Sequence, residues 1–311
     1  MKQILLFTFL ALGCQSASAI TVIENFGSGD NAFTMEFVTI GNPNNAADTT
    51  GSPNPAGSVA YTYNLGKYEV SRGQIDKANS AGSLGITYTS YSSTVNKPGT
   101  GISWYEAATY VNWLNTSTGG TAAYKFVGGN FQLWSAGDEG YNANNLFRNS
   151  LAKYVIASSN EWYKGAYGNA DGSWSNFPNG TNIAPTAVAG GTDANTAVYG
   201  QSASTGPADI NNAGGLSSYG TMGQGGNVWE WNETAYDGSN NTAGETRELR
   251  GGAWSSNSGL LDASYRLNYN PSSESSIVGF RVASVPEPST GLLVLLGLSG
   301  LLLKRRKTGT L

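Results

Sequence analysis

Histidine is absent from all 311 residues and Cys14 is the only cysteine, so carboxylates, hydroxyls, amides and arginines are left to do chemistry. Composition alone removes Ser-His-Asp and Cys-His nucleophilic schemes. What remains is acid–base work by paired carboxylates, the arrangement that hydrolyses glycosides. Asp138/Glu139, Glu230/Glu233 and Asp262 are the candidates, and their spacing does not separate them from solvated loop acids. Glu230 stands apart. It lies within Gly225-Gly-Asn-Val-Trp-Glu-Trp-Asn-Glu233, where Trp229 and Trp231 read as core, and a lone buried carboxylate must find a partner such as Arg250, Arg266 or Arg281. Eight Trp and seventeen Tyr exceed what the recognisable helices need. Most read as core, but Trp134, Tyr141, Trp174 and Tyr236 sit in Gly/Asn-rich loops, where aromatic faces could stack on sugars.

The elements that must position these groups are legible in part. Phe33–Ile40 and Tyr61–Val70 are rich in β-branched and aromatic residues and read as strands. Three helix starts share a Ser followed three residues later by Gln or Glu: Ser71/Gln74, Ser103/Glu106 and Ser158/Glu161. Each is a capping box that satisfies free N–H groups of a first turn. Trp104, Ala107, Ala108, Val111 and Leu114 mark one apolar face of the second helix. Residues 168–218 show little periodicity and read as irregular structure packed on the domain, pinned by ions.

Both ends carry addresses. Residues 1–19 read as a signal peptide, with Lys2, an apolar run from Ile4 to Leu12 and Ala17-Ser18-Ala19 as the cleavage site. Ala11-Leu-Gly-Cys14 offers a rival reading in which Cys14 is lipidated. At the other end Pro286-Glu287-Pro288 precedes an uncharged, Leu-rich run and the basic cluster Lys304–Lys307. A helix over 289–303 would span about 22 Å, short against a hydrocarbon core of about 30 Å. An ordinary membrane anchor with a basic stop is one reading. The ordered tripeptide, short apolar segment 290–303 and basic tail also resemble the PEP-CTERM sorting signal of Gram-negative bacteria. That resemblance implies an exosortase partner that cuts near the tripeptide, with transient membrane anchoring. Between the signals lie about 266 residues, long enough for one large domain. Without Lys2 and the basic tail, twelve basic side chains face twenty-one acidic ones, a net of about −9 that argues against nucleic acid as a partner. With no cysteine after residue 14, disulfides are excluded from the body.

The interior motifs fall in a recognisable order. Tyr68-Glu-Val-Ser71, Ile102-Ser-Trp-Tyr-Glu-Ala-Ala108 running to Asn112-Trp-Leu114, Ala157-Ser-Ser-Asn-Glu-Trp-Tyr-Lys-Gly-Ala166, the Gly225–Glu233 segment, Leu249-Arg-Gly-Gly-Ala-Trp254 and Gly279-Phe-Arg-Val282 together resemble the formylglycine-generating enzyme (sulfatase-modifying factor) family. The resemblance implies an α+β fold, the sulfatase-modifying-factor variant of the C-type-lectin fold, loop-rich with little regular secondary structure. It also implies one domain over 20–284, preceded by the signal peptide and followed by a sorting signal over 285–311. Counted from the Gly-Gly pair, the family's catalytic cysteines fall on Ser256 and Leu261. Neither can serve as a soft thiolate ligand to the copper of the family's oxidation, and leucine cannot bind metal at all. The related sulfoxide synthases hold iron with histidines, which this chain lacks. Carried over by position, a family calcium site would use Glu230 with the carbonyls of Gly226 and Val228, but Gly223 stands where its Asn or Asp ligand belongs. The family's other calcium site falls near Asn195–Ser202, where no acidic ligand matches. The family's framework arginines correspond to Arg250, Arg266 and Arg281, expected to fix loops through carboxylates and carbonyls. The expectation is an exported, non-catalytic binding or structural component of the envelope or exopolysaccharide matrix; the alternative is a carboxylate enzyme, such as a glycoside hydrolase, in the same fold.

Overall fold

Three capping boxes start three helices. The computed structural model describes residues 20–89, 91 and 94–286; the signal peptide, Cys14, Glu287, Pro288 and the apolar run 290–303 lie outside them. The hydroxyls of Ser71, Ser103 and Ser158 each accept a hydrogen bond from the amide three residues on, and the side chains of Gln74, Glu106 and Glu161 each accept one from the backbone amide of the cap. They launch α1 (Arg72–Gly82), α2 (Trp104–Ser117) and α3 (Ser159–Tyr167). The anticipated apolar face of α2 is fully buried at Trp104, Ala107, Ala108, Val111 and Leu114.

The strands are β1 (Thr21–Phe26), β2 (Phe33–Ile40), β3 (Tyr63–Gly66), β4 (Lys125–Val127), β5 (Asn130–Gln132), β6 (Tyr154–Ile156), β7 (Thr186–Val188), β8 (Thr196–Val198), β9 (Trp229–Ala235), β10 (Arg247–Arg250), β11 (Leu267–Tyr269), β12 (Val278–Phe280) and β13 (Val282–Ser284). β2 has the bounds its composition suggests. The strand expected over Tyr61–Val70 is shorter, because after Gly66 the chain turns away from β2 and β13 to deliver Ser71 to the α1 cap. Within the 168–218 stretch, β7 and β8 form a small parallel ribbon. Backbone bonds tie the stretch to the body, as where the Asn227 amide donates to the Val198 carbonyl at 2.8 Å.

A five-stranded sheet runs β1-β2-β3-β13-β6, and a four-stranded sheet runs β11-β10-β9-β12. β12 and β13 are separated by one residue, Arg281, yet belong to different sheets. A single step of the chain therefore stitches the two sheets together, and Arg281 lies in the seam. β13 is an inner strand, paired with β3 through Ala283↔Leu65 and Ser284↔Asn64 and with β6 through all three of its residues. α2 packs on β6, and α3 on β9. Trp104, Trp162, Trp231 and Trp254 fill the centre at 0–1% exposure, which accounts for half of the chain's tryptophans.

Candidate functional site

The Gly225–Glu233 segment enters β9 with a glycine that cannot be replaced by a larger residue. Gly226 has φ +84°, and a Cβ there would lie 2.2 Å from the Val198 carbonyl oxygen. This tight passage delivers Val228 and Glu230 to the interior, both at 0% exposure. Glu230 lies opposite Arg250 on one neighbouring strand and Gly279 on the other. Gly279 is closely packed, since a Cβ there would lie 2.6 Å from the Gly99 carbonyl oxygen. Arg281 reaches Glu230 from the seam, and its Nε and Nη2 each donate to one Glu230 oxygen at 2.6 Å. Trp162 Nε1 adds a third donor at 2.6 Å. The remaining guanidinium hydrogens reach the carbonyls of Gly66 and Met222 at 2.8 and 2.9 Å. Of the three arginines that could have met Glu230, Arg281 does so, and the pair is fully satisfied without water.

The calcium set carried over by resemblance needs Glu230 oxygens that are free. Here both are engaged, so a cation on Glu230 would have to displace the guanidinium; the residues as arranged do not fit calcium at this carboxylate. Among the described residues no group of three or more His, Cys, Asp or Glu collects as a metal cage.

A second acid stands beside the pair, and sequence reasoning passed over it as part of a strand motif. Glu69 is 1% exposed; its Oε1 accepts from Asn227 Nδ2 at 3.0 Å, while Oε2 has no hydrogen-bond partner. Its carboxyl lies against Gly223, where a Cβ would come within 2.7–2.8 Å of its atoms. Glycine at 223 is thus matched to a carboxyl occupying the space of a side chain. Burial, and then the charge of Glu230, push the Glu69 carboxyl up to about 8, against the pull of Arg281. Of the two carboxyls only Glu230 bonds the guanidinium, and Glu69 stays protonated at neutral pH.

The other sequence candidates are committed elsewhere. Glu233 points away from Glu230 and accepts from Arg148 Nε at 2.7 Å, Asn145 at 2.6 Å and Tyr124 at 2.9 Å. Arg148, not singled out in the sequence, also makes a two-pronged bond to Glu161 at 2.9 and 3.0 Å. Burial would raise the Glu161 carboxyl; Arg148, with Tyr61 and the Ser158 amide, overcomes it and holds it at about 2. Asp138 is drawn down to about 2 by hydrogen bonds from Lys125 and Ser135, and Glu139 is exposed. Asp262 caps a turn through Ser264. Arg250 binds Glu248 and the carbonyls of Ser52 and Tyr265, and Arg266 joins Glu248 to the Tyr236 carbonyl while its guanidinium lies 4.0 Å from the Tyr236 ring. These contacts fix loops.

Ser256 is 8% exposed, and its hydroxyl accepts from the Ala253 amide at 2.9 Å. Leu261 is fully buried in a short helical turn, against the space beside Gly252. Of the loop aromatics only Tyr141 reaches 36% exposure; Trp134, Trp174 and Tyr236 are half-buried, Trp174 against Tyr163.

An α+β molecule of small sheets, three short helices and long hydrogen-bonded loops, closed by an arginine between its sheets, is a sulfatase-modifying-factor-like domain of the C-type-lectin kind. The chain belongs to the family described as "Sulfatase-modifying factor enzyme 1-like domain", whose model matches residues 31–285. It lacks that family's catalytic cysteines. A PEP-CTERM protein-sorting motif matches residues 284–307. No curated protein matches the chain significantly. Among solved structures, Treponema denticola variable protein 1 is similar at 20% identity and a TM-score of 0.60, covering 85% of this chain and 99% of its own. CarF is similar at 16% and 0.57, covering 80% and 98%. PvdO from Pseudomonas aeruginosa is similar at 15% and 0.55, covering 85% and 98%. These likenesses establish the fold. The sorting motif marks an exported protein, addressed to the envelope or surface of a Gram-negative bacterium by exosortase-type machinery. Among the described residues no helix is long and apolar enough to cross a membrane.

Proposed function

We propose that this chain is a non-catalytic binding or structural component of the cell envelope or exopolysaccharide matrix. The observation that carries the reading is the occupancy of the thiol positions: Ser256 is tied to its own turn, and Leu261 is core. The carboxylates weighed as a hydrolytic pair lend support, since Glu230 and Glu233 are saturated by arginines and lie beyond the reach of any substrate. A surface poor in charge and rich in amides and hydroxyls suits a neutral polysaccharide. Tyr61, Tyr141 and Tyr265 are each more than a third exposed; the Tyr61 hydroxyl is held by Glu161, which leaves Tyr141 and Tyr265 as the rings offered to it.

Two measurements test this. The purified domain with copper should form no formylglycine on a sulfatase-type cysteine peptide; measurable aldehyde refutes the non-catalytic reading. The domain should also co-sediment with the producer's exopolysaccharide almost equally at low and high salt, because exposed charges are screened beyond about 8 Å at physiological ionic strength. Replacing Tyr141 and Tyr265 by Ala should weaken binding about ten-fold per ring, roughly 1.4 kcal/mol each. Shortened polymer would instead support a hydrolase.

A further inference from the structure

The five-stranded sheet seals one of its edges and leaves the other open. On the β6 side, the backbone groups that point away from β13 are taken by side chains. Asn115 accepts from the Tyr154 amide at 2.9 Å and donates to its carbonyl at 2.7 Å. The Tyr124 hydroxyl accepts from the Ile156 amide at 2.8 Å, and Arg148 Nη2 donates to the Ile156 carbonyl at 3.3 Å. On the β1 side the Thr39 amide donates to the Ile20 carbonyl at 3.0 Å, which sets the alternation. Ile20, Val22, Glu24 and Phe26 face β2 with their amides and carbonyls, whereas Thr21, Ile23 and Asn25 turn theirs outward. Among the described residues no hydrogen bond reaches these outward groups, and all three side chains are exposed.

An open edge is a template for another strand, and proteins blunt it with lysine, proline, a bulge or an uncompensated charge. β1, Thr21-Val-Ile-Glu-Asn-Phe26, contains neither lysine nor proline, and its register with β2 runs unbroken from Thr21↔Val38 to Phe26↔Phe33. Its one charge, Glu24, is neutralised by Lys153 at 2.9 Å. Ile20 and Ile23 stand 66% and 61% exposed along it. The strand also lies ahead of residues 31–285, the part that the family's model matches.

The strand complements itself. With a two-fold axis at Ile23, an antiparallel second copy sets Ile23 against its own counterpart and Thr21 against Asn25, where hydroxyl and amide can bond. Every outward N–H then meets an outward carbonyl, because these three pairs are the ones that exchange backbone bonds. Glu24 falls opposite Val22 of the second copy, and Ile20 opposite Phe26. An axis at Glu24 would instead set two carboxylates against each other, which disfavours that register. We propose that β1 is the contact through which two copies of this chain pair, joining their five-stranded sheets into one across a two-fold axis at Ile23. One strand is small against the roughly 1,200–2,000 Å² of a standard interface, so the pair is weak in dilute solution. The sorting motif addresses every copy to the same envelope, and confinement there raises the effective concentration that such a contact needs.

The test is sedimentation equilibrium of the mature protein, purified from the envelope of its host, at physiological salt. Wild type should reach a dimer by about 0.5 mM, as a weak interface allows. Ile23→Lys and Ile23→Glu alter an exposed side chain on a residue whose N–H is unbonded, so the circular dichroism of each should match wild type. Each should weaken the dimer about ten-fold, because like charges then meet at the axis in place of two isoleucines. An equimolar mixture of the two variants should recover the dimer, because opposite charges then meet there. A wild type that stays monomeric at that concentration overturns the inference, whether the edge is left to water or taken by a strand of another protein that co-purifies. A dimer unmoved by either substitution overturns it as well, since the contact is then elsewhere. A dimer lost in both variants and not recovered in the mixture refutes the two-fold register at Ile23.

Discussion

Replacing Glu69 by Gln probes the buried acid beside the Glu230–Arg281 pair directly. The Glu69 carboxyl rises from an ordinary 4.5 to about 8, through burial first and Glu230 second. A group that binds its proton more tightly folded than unfolded adds stability that is complete below the unfolded value. That stability is lost as pH rises from about 4.5 to about 8. At about 1.4 kcal/mol per unit the loss has a ceiling near 5 kcal/mol; relaxation and water entry bring the expectation to roughly 2–3 kcal/mol. The assay is urea unfolding of the domain at about pH 5.5 and about pH 8.5, the range in which this group changes charge. Lys164, drawn down to about 8 by burial, adds the opposite slope only above that value. Wild type should lose roughly 1–2 kcal/mol between these two pH values, since part of the loss lies below pH 5.5, while Glu69→Gln, of similar shape and always neutral, should be nearly flat and the more stable protein at the alkaline end. Parallel profiles for the two proteins would refute the argument.

Arg281→Met should cost about 3–5 kcal/mol in the same urea assay, because Glu230 would be left buried without its guanidinium; a loss below about 1 kcal/mol would show that the pair is not a brace. Millimolar calcium should leave the melting temperature unchanged, since a stabilising ion must bind the folded state and Glu230 offers it no free oxygen. A calcium-dependent rise that Glu230→Ala abolishes would place the ion at Glu230 after all.

What could be read from sequence was local. A capping box lies within four residues, so Ser71, Ser103 and Ser158 announced their helices, and β2 was visible as a continuous β-branched and aromatic run. That Glu230 required a partner was also legible, and so was the set of arginines available. Which arginine arrives was not, because the answer lies in β12 and β13 joining different sheets across one residue. Glu69 was missed for a related reason. Between Tyr68 and Val70 it reads as part of a strand motif, yet the strand has ended at Gly66, and the side chain is buried against Gly223. The signal that could have found it was Gly223: a missing side chain in one segment made room for a carboxyl from another 154 positions earlier. Arg148 likewise gave no sign of joining Glu161 to Glu233, acids from a helix and a strand that meet only in the folded chain.

The place of β13 also bears on when the molecule can fold. Residues 282–284 are the last part of the domain to be synthesised, and they close the gap between β3, made more than 200 residues earlier, and β6. Until they emerge, the five-stranded sheet cannot be completed, and the nascent domain stays open on that side. Contacts this distant in sequence are slow to form and leave apolar surface exposed meanwhile. A chain interrupted before residue 282 can neither close its core nor carry the address that follows.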